Sequence, residues 1–164
     1  MNKLRFLAPV LLAASLLLVA CGGDDDDARP SVADGVTEIV RQVLSEASPD
    51  TAQGQLLELS RVIVPANMSI APHNHPGAQL ASIVSGTLTY TVIDGDATVT
   101  RAAAAGSQEV VTYQSGDTFE LRVGDSIMEP AKMVHEAANA TDEPVIIYLS
   151  SLFPAGEPPS TSVQ

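Results

Sequence analysis

Cysteine is almost missing from this 164-residue chain: Cys21 stands alone, so no disulfide can form within it. Basic residues are scarce as well, with eight Lys and Arg against twenty Asp and Glu and a net charge of −12. That balance excludes the electrostatic footprint of a nucleic-acid binder and gives anionic lipid headgroups nothing to attract. No repeat of fixed period occurs, which argues against solenoids and propellers. The only long apolar run, residues 6–20, is too short to span a bilayer comfortably. Histidine is rare, and His73, His75 and His135 are the whole supply.

The apolar run follows Lys3 and Arg5, the cationic start of a signal peptide over residues 1–20. Leu18 spoils the small-residue pattern of ordinary signal cleavage, whereas Leu18-Val19-Ala20-Cys21 resembles a bacterial lipobox. Cys21 would then carry the lipid and begin the mature chain, which accounts for an unpaired thiol in an exported protein. Gly22, Gly23 and the aspartates 24–27 cannot bury a core, so residues 21–31 read as a solvated acidic tether. Losing Lys3 and Arg5 leaves six basic residues against twenty acidic ones, a mature charge near −14. Membrane attachment would rest on the lipid alone, with the domain facing the periplasm or the exterior.

Val32, Val36, Ile39, Val40, Val43 and Leu44 are spaced for one face of a helix, with Ser31 as N-cap and an end at Ser48-Pro49, so a short helix is expected over 32–48. Beyond it the period changes to two. Strands are expected near 55–64, 67–73, 79–85, 87–93, 97–101, 109–114, 118–123, 126–129, 133–138 and 145–152, with a longer loop of small residues at 102–106. Turns fall at Pro76-Gly77, Asp94-Gly95, Ser115-Gly116, Gly124-Asp125 and 142–144. The fold class is therefore all-β, a barrel or sandwich over 55–153, followed by a polar, Pro-rich flexible tail at 154–164.

His73 and His75 lie two apart, so on a strand they project from one face and can share one ion. Gln79 opens the next strand, and His135 shares a face with Met133 and Ala137. Tyr90 alternates with Leu88 and Val92 and should point inward, either as a core aromatic or as a catalytic acid. Alternation places Glu136 outward and assigns Glu129, just before Pro130, to neither face, so no inward carboxylate is identified to serve as a general base. Asn139 and Gly86 read as a turn amide and a tight turn.

The run from Pro65 to Gly86, with His73-Asn74-His75, Gln79 and Gly86, resembles the first motif of the cupin superfamily. Gly124, Pro130, His135 and Asn139 fall at the intervals of the second. The resemblance covers roughly residues 55–152 and implies a small jelly-roll β-barrel, a double-stranded β-helix. It also implies one divalent metal held inside by His73, His75, Gln79 and His135. Two departures stand out: Gln79 occupies a position usually held by glutamate, and Lys132 one usually held by glycine. An amide brings no charge, so an ion held by these four side chains would keep its full double charge, a stronger Lewis acid and a poorer support for manganese redox chemistry. Three histidines with solvent in the remaining positions are a workable alternative.

Zinc, copper, nickel, iron and manganese all remain candidate metals. Imidazole ligation predicts that binding weakens as pH falls through roughly 6.5. The resemblance implies a small-molecule metalloenzyme of dioxygenase, isomerase or cyclase type, or a non-catalytic module that captures a metal or small ligand at the cell surface. It also implies a homodimer paired through its sheets.

Overall fold

The computed structural model describes residues 36–103 and 108–164. The signal peptide, the tether, the first residues of the expected helix and part of the 102–106 loop lie outside them. Twelve strands follow in order: β1 Val40–Ala47, β2 Gln55–Val64, β3 Met68–Asn74, β4 Ala78–Ser85, β5 Thr87–Asp94, β6 Asp96–Thr100, β7 Val110–Gln114, β8 Thr118–Arg122, β9 Ser126–Glu129, β10 Val134–Asn139, β11 Val145–Pro154 and β12 Thr161–Ser162. They form two antiparallel sheets, one ordered β1-β2-β11-β4-β9-β6-β7 and the other β12-β3-β10-β5-β8. The expected all-β jelly roll is what forms.

The period-two pattern explains which face each strand buries. Across the larger sheet Ser60, Leu149, Ala81, Ile127 and Val99 stand in register, all pointing inward and buried. Leu88, Tyr90, Val92, Phe119, Leu121 and Ala137 meet them from the smaller sheet. Full burial of each Val, Leu or Ile contributes about 1.5–3 kcal/mol, so this aliphatic interior is the main cohesive term. Asn139 is buried, with Nδ2 within 3.0 Å of the carbonyls of Val64, Pro65 and Glu143. Its Oδ1 accepts from the Thr141 backbone N–H and hydroxyl. The amide thus fastens two loops at one end of the barrel, a stronger role than an ordinary turn residue.

Two of the turns depend on glycine. Gly86 joins β4 to β5 at φ 79°, where a Cβ would lie 2.9 Å from Val145 Cγ2. Gly77 lets the 76–77 turn lie against β11, since a Cβ there would sit 2.1 Å from the Leu152 carbonyl oxygen.

Two expectations fail. Within the segment expected as a helix over 32–48, residues 40–47 form β1, paired antiparallel with β2 from Val40 opposite Ile63 to Ala47 opposite Leu57. The helical spacing is real, but Val43 and Leu44 stay 44% and 42% exposed. The free edge of β2 offers this segment a full ladder of backbone hydrogen bonds, and an ion pair from Arg41 to Glu58 fastens the two strands. The segment 154–164, expected as a flexible tail, instead runs along the smaller sheet. Thr161 and Ser162 pair with Asn74 and His73, and the Val163 N–H donates to the Pro72 carbonyl at 3.0 Å.

Candidate metal centre

The three histidines converge. His73 is the penultimate residue of β3 and His75 follows that strand, while His135 lies on β10 directly opposite His73. Their candidate ligand atoms all lie within 4.8 Å of one another. His73 Nδ1 donates to the Ala71 carbonyl at 2.9 Å and His75 Nδ1 to the Pro159 carbonyl at 2.7 Å. A carbonyl only accepts, so both rings carry their proton on Nδ1 and leave Nε2 unprotonated, the form in which an imidazole can ligate a metal; in His75 that nitrogen accepts from the Gln79 amide NH₂ at 3.2 Å. Pro159 belongs to the segment expected as a flexible tail, so that segment orients a candidate ligand.

Burial, and then the two neighbouring imidazoles, push the His135 pKa down to about 3. Burial also lowers that of His73. His135 is therefore neutral well below pH 6.5, and proton competition at both positions begins at lower pH than an ordinary imidazole implies. Ring stacking fixes the set further: His135 lies on Tyr90 with centroids 5.0 Å apart and His75 on Phe153 at 5.9 Å. The donor set and its locked tautomers fit a divalent transition metal.

The cavity in front of these rings holds about 180 Å³ and is lined by both sheets, with Ile70, Ala81, Ile83, Leu88, Ile127 and Leu149 as its apolar wall. Tyr90 faces inward as alternation requires, and its hydroxyl donates to Glu129 Oε1 at 2.9 Å. Burial, followed by the adjacent Glu129, raises the Tyr90 pKa well above its ordinary value, so the hydroxyl keeps its proton at neutral pH.

Gln79 is buried in the site, but its amide oxygen turns away. Oε1 accepts from the Ser151 hydroxyl at 2.8 Å, while Nε2 donates to Glu129 Oε2 at 2.7 Å and lies 3.2 Å from His75 Nε2. An ionised Glu129 accepts only, so it requires the NH₂ side of the amide. The expected Gln79 oxygen ligand is therefore not presented to the histidines in this arrangement.

Sequence reasoning missed Glu129. This carboxylate is 3% exposed, opposite Gln79 in the β4–β9 ladder, 3.5 Å from His75 Nε2 and 3.9 Å from His135 Nε2. Burial raises its pKa, against the pull of His75, Tyr90 and Gln79. A signal was available, because Glu129 lies two residues from buried Ile127 and so shares its face. Lys132, in the glycine-like position, adopts φ 67°, with its N–H bonded to the His75 carbonyl at 2.9 Å and its side chain exposed. It shapes the turn and keeps its ammonium outside the cavity.

No family model matches the sequence, and no curated protein matches it. Solved structures do resemble the fold. The L-ribose isomerase of Cellulomonas parahominis, solved with L-psicose, is 14% identical, with 76% of this chain and 68% of that one covered at a TM-score of 0.55. KdgF from a Halomonas species is 18% identical over 73% and 81% of the two chains, TM-score 0.48. A cupin superfamily protein from Desulfitobacterium hafniense is 12% identical over 71% and 79%, TM-score 0.40. Likeness at this identity concerns architecture alone, and the architecture here is a two-sheet antiparallel jelly-roll barrel with a cluster of three histidines inside it.

Proposed function

We propose that this chain is an exported bacterial lipoprotein, anchored through Cys21. In this reading its barrel binds one divalent transition metal at His73, His75 and His135 and transforms a small organic molecule there. The observation that carries the reading is the convergence of three buried or half-buried imidazoles, two of them tautomer-locked with Nε2 unprotonated, on an apolar cavity. When bound, the ion supplies a Lewis acid for oxygen atoms of the small molecule. The protein residues do the rest. The aliphatic wall excludes water, the carbonyls of Ala71 and Pro159 hold two rings in place, and Tyr90 keeps a proton at its hydroxyl oxygen beside Glu129.

One observation favours a second reading, a non-catalytic module that retains a metal or small ligand at the cell surface. The cavity of about 180 Å³ is below the roughly 300–1,000 Å³ of ordinary ligand pockets. A homodimer is proposed through the outer face of the larger sheet, where Leu57, Leu59, Leu80 and Leu152 are 37–52% exposed. No nucleic-acid partner is proposed.

The test is elemental analysis of the protein, prepared without a metal-binding tag, beside His135→Ala, followed by turnover and oxygen-uptake screens of the loaded protein. One equivalent of metal, lost in the variant, supports the metal reading; no metal in either protein, even after reconstitution, refutes it. Binding without any turnover would select the second reading. Labelled palmitate incorporated by the chain and lost in Cys21→Ser tests the anchor, and a wild-type chain that takes up no label refutes it.

A further inference from the structure

Glu129 is a buried carboxylate without a cation. Its oxygens receive hydrogen bonds from Gln79 and Tyr90, and its other polar neighbours are imidazoles. Among the described residues Arg41 is the only Lys or Arg lining the cavity, and it is engaged by Glu58. A carboxylate desolvated this far is costly unless a positive charge compensates it, and nothing among the described residues does so.

The distances suggest where that charge belongs. Donors bound to one transition-metal ion at about 2.0–2.2 Å lie roughly 3–3.6 Å from one another. Glu129 Oε2 is 3.5 Å from His75 Nε2 and Oε1 is 3.9 Å from His135 Nε2. The carboxylate therefore already stands within a few tenths of an ångström of ligand spacing from two of the three rings.

The neighbouring strands show how it is held. Glu58, Ser151, Gln79 and Glu129 are successive cross-strand partners over β2, β11, β4 and β9, all on the inner face. Ser151 donates to Gln79 Oε1, which turns the amide NH₂ toward Glu129 Oε2. A carboxylate at position 79 would meet Glu129 across the rung with like charge. An amide there removes the repulsion and supplies a donor.

Resting on the three-histidine metal reading, we infer that Glu129 is the fourth protein ligand of the ion and that Gln79 is a positioning residue, oriented by Ser151. The ion would then lose one unit of its double charge to the protein. That reverses the charge argument made from Gln79 alone and makes the site a better support for a metal in a higher oxidation state.

The experiment titrates the full chain with Co²⁺ against a competing chelator and records the cobalt visible bands for wild type, Glu129→Gln and His135→Ala. The expected result is at least tenfold weaker binding in Glu129→Gln, with shifted bands. Unchanged affinity overturns the inference while leaving the histidine reading intact, provided wild type binds and His135→Ala does not. A weakened site with unchanged bands also overturns it, because Glu129 would then act without touching the ion. Failure of wild type to bind Co²⁺ overturns both. Glu129→Gln removes a buried charge and should fold; if it does not, the pair Gln79→Glu with Glu129→Gln exchanges the two groups across one rung. That pair is expected to bind Co²⁺ within tenfold of wild type, and loss of binding in it, once folded, overturns the inference.

Discussion

In the metal-free state this domain should have a stability that depends steeply on mild acid, and His135 is the residue to perturb. Its pKa falls from an ordinary 6.5 to about 3 in the fold because burial, then two nearby imidazoles, oppose its charge. The unfolded chain therefore takes up the proton first. This contribution to stability is fully present above pH 6.5 and is lost as pH falls toward 3. Integrating the linkage from pH 7.5 to pH 5 gives a loss of about 2 kcal/mol from this one group. Any folded-state pKa below about 4 gives nearly the same figure at pH 5, so the prediction does not depend on the depth of the shift. His73, lowered mainly by burial, acts in the same direction. Glu129 acts oppositely, because its pKa is raised by burial and the folded state holds that proton first. Urea unfolding of the chelator-treated protein at pH 7.5 and 5, wild type beside His135→Leu, separates these effects, since the difference between the chains isolates His135. The variant should lose about 2 kcal/mol less than wild type. Equal losses in the two chains would refute the argument that His135 is buried and neutral.

Three other perturbations follow from particular contacts. Deleting residues 155–164 removes the Pro159 carbonyl from His75 Nδ1 and should weaken metal binding roughly 10–100-fold in a chelator competition assay; unchanged affinity would assign the segment no part in the site. Asp125 is buried and accepts from Arg101 Nη1 and from the N–H groups of Ala102 and Arg122. Asp125→Ala should therefore cost about 3 kcal/mol in denaturant unfolding, and a loss below about 1 kcal/mol would show that solvent replaces those bonds. Gly77→Ala drives a Cβ to 2.1 Å from the Leu152 carbonyl oxygen; a melting temperature equal to wild type would contradict this close approach.

The strands were legible because alternation is a local property. Val92, Val99 and Ile127 sit on inner faces that period two alone identifies, and the expected limits of β2 and β9 match those observed. The two failed expectations involve partners distant in sequence. β1 carries helical spacing, and only the open edge of β2 makes it a strand. The C-terminal segment has no internal pattern; its order comes from β3 and from His75. In the site, the His73–His75 spacing and the parity of Tyr90 were enough to aim those side chains inward. The orientation of Gln79 was not legible, since it depends on Ser151 and Glu129 on two neighbouring strands. Glu129 shares the parity of Ile127, but a four-residue strand closed by Pro130 offers only those two inward positions from which to read the alternation.

The place of β11 between β2 and β4 sets an order of assembly. Val145 pairs with Val64 and Leu152 with Ala78, so the early strands have no shared partner until the last part of the chain has emerged. Long-range pairing of this kind is slow to close, and the carbonyl that orients His75 arrives later still. A chain threaded through a membrane from its N-terminus would thus cross it before the histidines are brought together. The available metals would be those of the compartment where folding finishes, so the timing of folding itself would act as a filter on which ion is captured.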